Sequence, residues 1–278
     1  MTDRYAVVGN PIAHSRSPEI HAAFAHQLGH TLSYVAIEAP IGAFAEVAEQ
    51  FRREGGSGMN ITAPFKLDAF AFSTESSLRA RVACAANTLW FGQGADRNVI
   101  YADNTDGIGL VSDLRKNLKC ELSGQRILLL GAGGAARGVI GALAETAPAR
   151  LAVANRTFAT AAELVQQFTA ETANESVVAI KLDQLDHHRF DVVINATSAS
   201  LSLQSLAVPA VCFAPNSLAY DMTYAKGTTP FLRVAGNAGA TVADGIGMLV
   251  EQAAEAFFIW RGVRPDTRPI IASIKAAP

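Results

Sequence analysis

The stretch Arg126-Ile127-Leu128-Leu129-Leu130-Gly131-Ala132-Gly133-Gly134-Ala135-Ala136-Arg137-Gly138 decides the fold. Four apolar residues, Ile127 to Leu130, run into a G-x-G-x-x-A pattern at Gly131 to Ala136. After a strand, the first glycine of such a pattern permits a tight turn and the second lets the backbone approach a pyrophosphate. The small Ala136 then lets the following helix pack closely on the strand. Gly131, Ala132, Gly133, Gly134 and Ala135 are therefore the candidates for holding a dinucleotide. A plain strand-to-helix turn is the other reading open to this stretch.

Which dinucleotide is decided at the tip of the next strand, about 20 residues on, where an acid would bind the ribose 2'-hydroxyl of NAD. Here the run Leu151-Ala152-Val153-Ala154 ends in Asn155-Arg156-Thr157. An acid would repel a 2'-phosphate, whereas Arg156 offers a planar fork of donors and a permanent charge. Thr157 stands where it would cap the next helix and turn that helix's positive end toward the same phosphate. Asn155, Arg156 and Thr157 thus point to NADP, against a bland alternative in which Arg156 is an ordinary surface arginine.

Working outward, the 130 residues before Gly131 need a separate task. Strand and helix signals alternate there: Tyr5 to Val8, a helix from Pro18, Ser33 to Ile37, a helix over Phe44 to Arg53, then Gly58 to Ile61. Thr88 to Phe91 and Val99 to Ala102 are further strand candidates. After Arg126, strands fit near residues 127–130, 151–154, 177–180, 191–195 and 218–222. Helices fit Gly107 onward, Met248 to Trp260 and Thr267 to Ala276. The pattern predicts an α/β protein: a mostly parallel N-terminal α/β substrate domain, a Rossmann-type NADP-binding domain, and C-terminal helices returning to the first. The expected boundaries are residues 1–106 with 248–278 for the substrate domain and 107–247 for the NADP domain.

Composition narrows the function classes. Half of the 278 residues are hydrophobic and 17% are charged, so large cores can form and no disordered signature appears. A formal charge of -2 provides no basic field for nucleic acid or anionic lipid, so a small-molecule substrate is expected. No apolar run approaches the roughly 18 residues of a membrane span. Cys84, Cys120 and Cys212 lie far apart without metal-ligand spacing and read as buried free thiols. With Tyr5 to Val8 entering a strand rather than a signal peptide, the expected compartment is the cytoplasm and the expected state a monomer or homodimer.

NADP chemistry on a carbonyl needs a group that moves a proton as the hydride moves. Two stretches offer one. In Met59-Asn60-Ile61-Thr62-Ala63-Pro64-Phe65-Lys66, a strand ends in polar residues and Pro64 opens a helix, which puts Lys66 in a first turn where the helix dipole disfavours a cation. Breaking a local rule in this way marks a site. In Asp103-Asn104-Thr105-Asp106-Gly107, at the expected domain crossing, Asp106 is placed to sit beside Lys66 and hold it. A solvated Lys66 and a helix-capping Asp106 remain the alternative from residue types alone.

These residues belong to an ordered series of blocks running from about Tyr5 to Gly262: GNPIAHSRSPEIH, NITAPFK, ANTL, DNTDG, GAGGAARG, NRT, NATS, YDMTYAKGTTPF and ADGIGMLVEQAA. The series resembles the shikimate dehydrogenase family, NADP-dependent oxidoreductases of aromatic amino-acid biosynthesis. The resemblance implies that Lys66 and Asp106 form the catalytic pair and that Ser15 and Ser17 bind the substrate carboxylate. It assigns Thr62, Asn87 and Gln252 to ring hydroxyls or neighbouring polar atoms, with Tyr224 close by, and Met222 and Gly245 to the border of the nicotinamide. Chemistry agrees in part: two hydroxyls precede a helix whose free N–H groups favour an anion, and amides and hydroxyls suit a polyol. Capping by Ser17 and turn satisfaction by Thr62 and Asn87 are the bland alternatives, as are core packing by Met222 and a turn glycine at Gly245.

Two departures stand out. Thr160 occupies a position where many members carry a second arginine for the 2'-phosphate, which leaves that task to Arg156. Asn195-Ala196-Thr197-Ser198-Ala199-Ser200 lacks the glycine that often follows NATS. Metal binding is not expected: His26 and His30 are four apart, but Gly29 ends their helix and no acid is spaced with them. His187-His188 reads as a loop, and His14 as part of the substrate loop. The implied activity is reversible reduction of 3-dehydroshikimate with NADPH. The alternatives are a quinate or dual shikimate/quinate dehydrogenase and, from another class, a non-catalytic NADP sensor.

Overall fold

A computed structural model of the chain describes residues 2–197, 208–224 and 227–276. The chain divides into two units, Met1–Gly109 with Val250–Pro278, and Leu110–Leu249.

The first unit is built on β1 (Asp3–Gly9), β2 (Leu32–Glu38), β3 (Gly56–Ile61), β4 (Glu75–Ser76), β5 (Thr88–Phe91) and β6 (Ile100–Asp103), in the sheet order β2-β1-β3-β5-β6-β4. β1 runs parallel to β2 and β3, and β5 lies antiparallel between β3 and β6. The centre of the sheet is covered on both faces, which is why Tyr5 to Val8 is an unbroken apolar run. On one face α2 (Phe44–Arg53) and α3 (Lys66–Phe72) supply Phe44, Phe51 and Ala69 to a core with Ala6, Val8, Met59, Ile61 and Leu89. On the other, α1 (Ser17–Leu28) and α9 (Ile246–Arg261) bring Ile20, Phe24 and Phe257, and Trp260 stacks on Tyr5 with ring centroids 4.5 Å apart. α4 (Leu78–Ala83) and α10 (Arg268–Ala276) complete this unit.

The second unit holds β7 (Arg126–Leu130), β8 (Arg150–Ala154), β9 (Val177–Ile180), β10 (Phe190–Asn195), β11 (Phe213–Asp221) and β12 (Thr241–Asp244). All are parallel in the order β12-β11-β10-β7-β8-β9, the doubly wound order whose direction reverses between β7 and β10. α6 (Gly134–Ala144), α7 (Phe158–Thr172) and α8 (Pro230–Asn237) pack on it, and the division between units falls inside α5 (Asp106–Ser112) and α9.

The helices and strands named in the sequence reading are present within a few residues, except that β11 begins at Phe213 rather than 218. Short β4, α4 and β12 were not anticipated. Nor are all three thiols buried: Cys212 is, but Cys120 is half-buried and Cys84 exposed, because Cys84 closes α4 in the left-handed conformation at φ 47° and turns outward. Among the described residues no helix is long and apolar enough to cross a membrane. Ser198, Ala199 and Ser200 lie outside the described residues.

Candidate functional site

The register of the first sheet explains how distant residues converge. Asn60 at the end of β3 pairs with Thr88, and Thr88 pairs with Asp103 at the end of β6. Because β5 runs opposite to both, its beginning lies between their ends, so the turns leaving β3 and β6 flank Asn87. Lys66 is the first residue of α3 and Asp106 the first of α5. Lys66 Nζ forms an ion pair with Asp106 Oδ2, and both side chains are largely buried.

Asn87 organises the remainder. Its amide nitrogen donates to Asp106 Oδ1 at 2.7 Å and lies 3.0 Å from Thr105 Oγ1 and 3.3 Å from Gln252 Oε1. Its Oδ1 accepts from the Thr105 backbone N–H at 2.8 Å and the Thr88 hydroxyl at 2.9 Å. Gln252 reaches this cluster because α5 and α9 touch backbone to backbone: a Cβ on Gly109 would stand 2.8 Å from the Gln252 nitrogen. Lys66, Asp106, Asn87 and Gln252 are therefore brought together within the first unit. Thr62, whose backbone N–H donates to Val8 O at 2.9 Å, sits beside Gly9, where a Cβ would overlap its methyl.

A second chain of bonds leads toward the serines. Asn60 Nδ2 donates to Asn87 O, and Asn60 Oδ1 accepts from Tyr34 Oη at 2.8 Å. Burial holds the Tyr34 hydroxyl well above the usual phenol range, and a hydrogen bond with Ser17 opposes this. Ser17 is not the cap of α1: it is the first helical residue and Arg16 holds the cap position without a side-chain bond, while Ser15 Oγ accepts from the Ser17 N–H at 3.3 Å. Sequence reasoning missed Tyr34, Asn60 and Thr105. A buried asparagine between Met59 and Ile61 was the available signal, since a polar side chain there requires partners.

In the second unit, the turn at Gly131 has φ 110°, which only glycine adopts easily, and its backbone N–H donates to Ala154 O at 2.7 Å. A Cβ there would meet Thr197 and Ala196 at 3.1–3.2 Å, so the turns after β7 and β10 lie against each other at the switch point. Gly133 differs: it is exposed, precedes α6, and a Cβ would find nothing within 4 Å. Ala132 is buried, Gly134 and Ala135 are half-buried in the first turn of α6, and Ala136 is buried against the sheet. Open space at the second glycine, before a helix of 11 residues, fits a pyrophosphate.

Arg156 is exposed and engages no partner among the described residues. Asn155 Nδ2 donates to Thr157 O at 3.1 Å, shaping that turn. Thr157 holds the cap position of α7, yet its hydroxyl makes no cap bond, which corrects the expected role: the side chain is not used by the helix end. Gly245 has a structural reason to be a glycine. A Cβ there would overlap the backbone of Met222, so this glycine allows the two segments to cross. Tyr224 is half-buried in this second unit with Met222. Asp221, fully buried, accepts from Asn195 Nδ2 at 3.1 Å and Thr229 Oγ1 at 2.6 Å and so ties the turn after β10 to the start of α8.

Three family models match the chain: a shikimate dehydrogenase substrate-binding domain at residues 7–89, a shikimate/quinate 5-dehydrogenase domain at residues 113–207, and a shikimate 5'-dehydrogenase C-terminal domain at residues 245–275. A curated relative named shikimate dehydrogenase (NADP(+)) from Aromatoleum aromaticum is 52% identical over 274 residues, covering 98% of this chain and 97% of its own. One from Nitrosospira multiformis is 52% identical over 278 residues, covering 100% and 98%. The crystal structure of an Ael1 enzyme from Pseudomonas putida superposes with a TM-score of 0.89 at 48% identity, covering 100% of this chain and 99% of its own. That of shikimate 5-dehydrogenase from Thermus thermophilus in complex with NADP(H) and shikimate gives 0.86 at 33% identity, covering 99% of each chain. With that identity spread over nearly the whole length and with the lysine, aspartate and glycine turn in place, the chain belongs to the shikimate dehydrogenase family.

Proposed function

We propose that the chain catalyses the reversible NADP-dependent reduction of 3-dehydroshikimate to shikimate. The observation that carries this reading is the largely buried Lys66–Asp106 pair, bonded through Asn87 to Gln252. NADPH, when bound, would supply the hydride for the ketone carbon. Lys66 Nζ gives a proton to the carbonyl oxygen as charge develops there, and takes one back from the hydroxyl in the oxidative direction. Asp106 holds that amine with one oxygen while Asn87 fixes the other, so the donor is pre-set rather than mobile. Ser15 and Ser17, at the N-terminus of α1, bind the ring carboxylate, whose charge the free N–H groups favour. Within the first unit, Thr62, Asn87 and Gln252 meet the ring hydroxyls or neighbouring polar atoms.

Gly131 to Ala135 would hold the cofactor at its pyrophosphate and Asn155, Arg156 and Thr157 at its 2'-phosphate, with Met222 and Gly245 at the nicotinamide. The cytoplasm suits three free thiols. The test mixes the folded protein with shikimate or quinate and NADP or NAD and follows the near-ultraviolet absorbance of the reduced nucleotide. The highest kcat/KM is expected for shikimate with NADP. A higher value for quinate supports the quinate reading instead, and no turnover with any pair supports a sensor.

A further inference from the structure

Asp103 opens the turn that ends in Asp106, and its carboxylate is buried. Oδ1 accepts from the Asn104 backbone N–H at 2.7 Å and from the Ser77 hydroxyl at 2.5 Å. Arg79, in α4, grips both oxygens, Nε to Oδ1 at 3.0 Å and Nη2 to Oδ2 at 2.5 Å. Its remaining nitrogen, Nη1, donates to Glu255 Oε1 at 3.3 Å, and Glu255 Oε2 is paired with Arg264. Alternating charges thus run from the C-terminal segment to the turn. Inside the turn, Asn104 Oδ1 accepts from the Asp106 N–H at 3.2 Å while Asn104 Nδ2 donates to Ala85 O at 3.0 Å.

We infer that Arg79 and Asp103 are positioning residues for the Lys66–Asp106 pair, a role that rests on the function proposed above. The clamped carboxylate fixes Asn104, and Asn104 fixes the backbone from which Asp106 gives one oxygen to Lys66 and the other to Asn87. Arg79 also neutralises the second buried carboxylate of the same turn, Asp103, which is costly to keep charged without a partner. A planar fork is required, since a lysine cannot hold both oxygens and Glu255 together.

The Arg79 side chain is 36% exposed, so a small cation can enter the space it leaves. For Arg79→Gln, kcat with shikimate and NADP is expected to fall about tenfold or more, with both KM values within about threefold of wild type. Added guanidinium, but not sodium at equal ionic strength, should restore several-fold of the lost kcat. A variant within about twofold of wild type in kcat, or one whose loss follows only the fraction unfolded and gains nothing from guanidinium, overturns the inference. Should Arg79→Gln not fold, Arg79→Lys keeps the charge without the fork and is expected to show the same loss in kcat at unchanged KM. A wild-type chain that does not turn over shikimate overturns the functional reading and this inference with it. An active wild type beside an equally active variant overturns the clamp alone.

Discussion

His21, buried in the first unit, is a side chain on which acid acts directly. It is fully buried and stacks on Tyr34 at 4.2 Å between ring centroids. Burial pushes its pKa down to about 3, against a weaker opposing pull from Asn60. The folded state therefore binds fewer protons than the unfolded state between that value and the ordinary histidine pKa. Stability from this source is complete above about pH 6.5 and is lost as pH falls toward 3. Between about pH 6.5 and about pH 4 the loss is on the order of 3 kcal/mol, and His21→Phe, which carries no proton, should lack it. Urea midpoints of both proteins at the two pH values check this; an equal acid loss in the variant would refute it. Arg156 acts instead on the cofactor. Arg156→Gln is expected to raise KM for NADP about tenfold to a hundredfold, the worth of a charge-assisted bond, while KM for NAD moves less than about twofold.

At the scale of elements, the glycine turn separates folding from binding. Gly131 takes a backbone conformation that a side chain resists, whereas Gly133 is extended, at φ -82°, and opens onto free space. Gly133→Val should therefore change stability by less than about 0.5 kcal/mol yet sharply raise KM for NADP, while Gly131→Val costs about 1–3 kcal/mol through strain. Melting curves beside cofactor titrations distinguish them, and a Gly133→Val protein with unaltered NADP affinity would show that the open space is not the pyrophosphate seat. This turn was legible because its demands are local: strand, glycine spacing and helix lie within thirteen consecutive residues, Arg126 to Gly138. What Thr157 does was not legible, because a residue type names a cap but only the backbone decides whether the hydroxyl meets a free N–H. The two-residue β4 and the short α4 left too little periodicity to read, and Cys84 looked buried until the left-handed turn after α4 exposed it.

Across the whole chain, the sequence order hides how the first unit is assembled. Its sheet is finished by residues from the other end of the polypeptide: Trp260 stacks on Tyr5 and donates to Leu89 O at 3.1 Å, and Gln252 reaches Asn87. Lys66 and Asp106 were legible as a pair only through the motifs that carry them. Periodicity could not join residues forty apart, and the antiparallel β5, inserted between two strands of like direction, is what sets their turns side by side. The bonds through Tyr34 and Asn60 were invisible for the same reason, since they depend on which strands become neighbours.

In the proposed reaction one amine, that of Lys66, moves the proton, and Lys66→Ala measures its part. With shikimate and NADP both saturating, kcat is expected to fall about a hundredfold or more, the usual worth of a positioned acid–base group, while the affinity for shikimate measured without turnover stays within about threefold. A folded Lys66→Ala protein that still turns over near the wild-type rate would contradict the account.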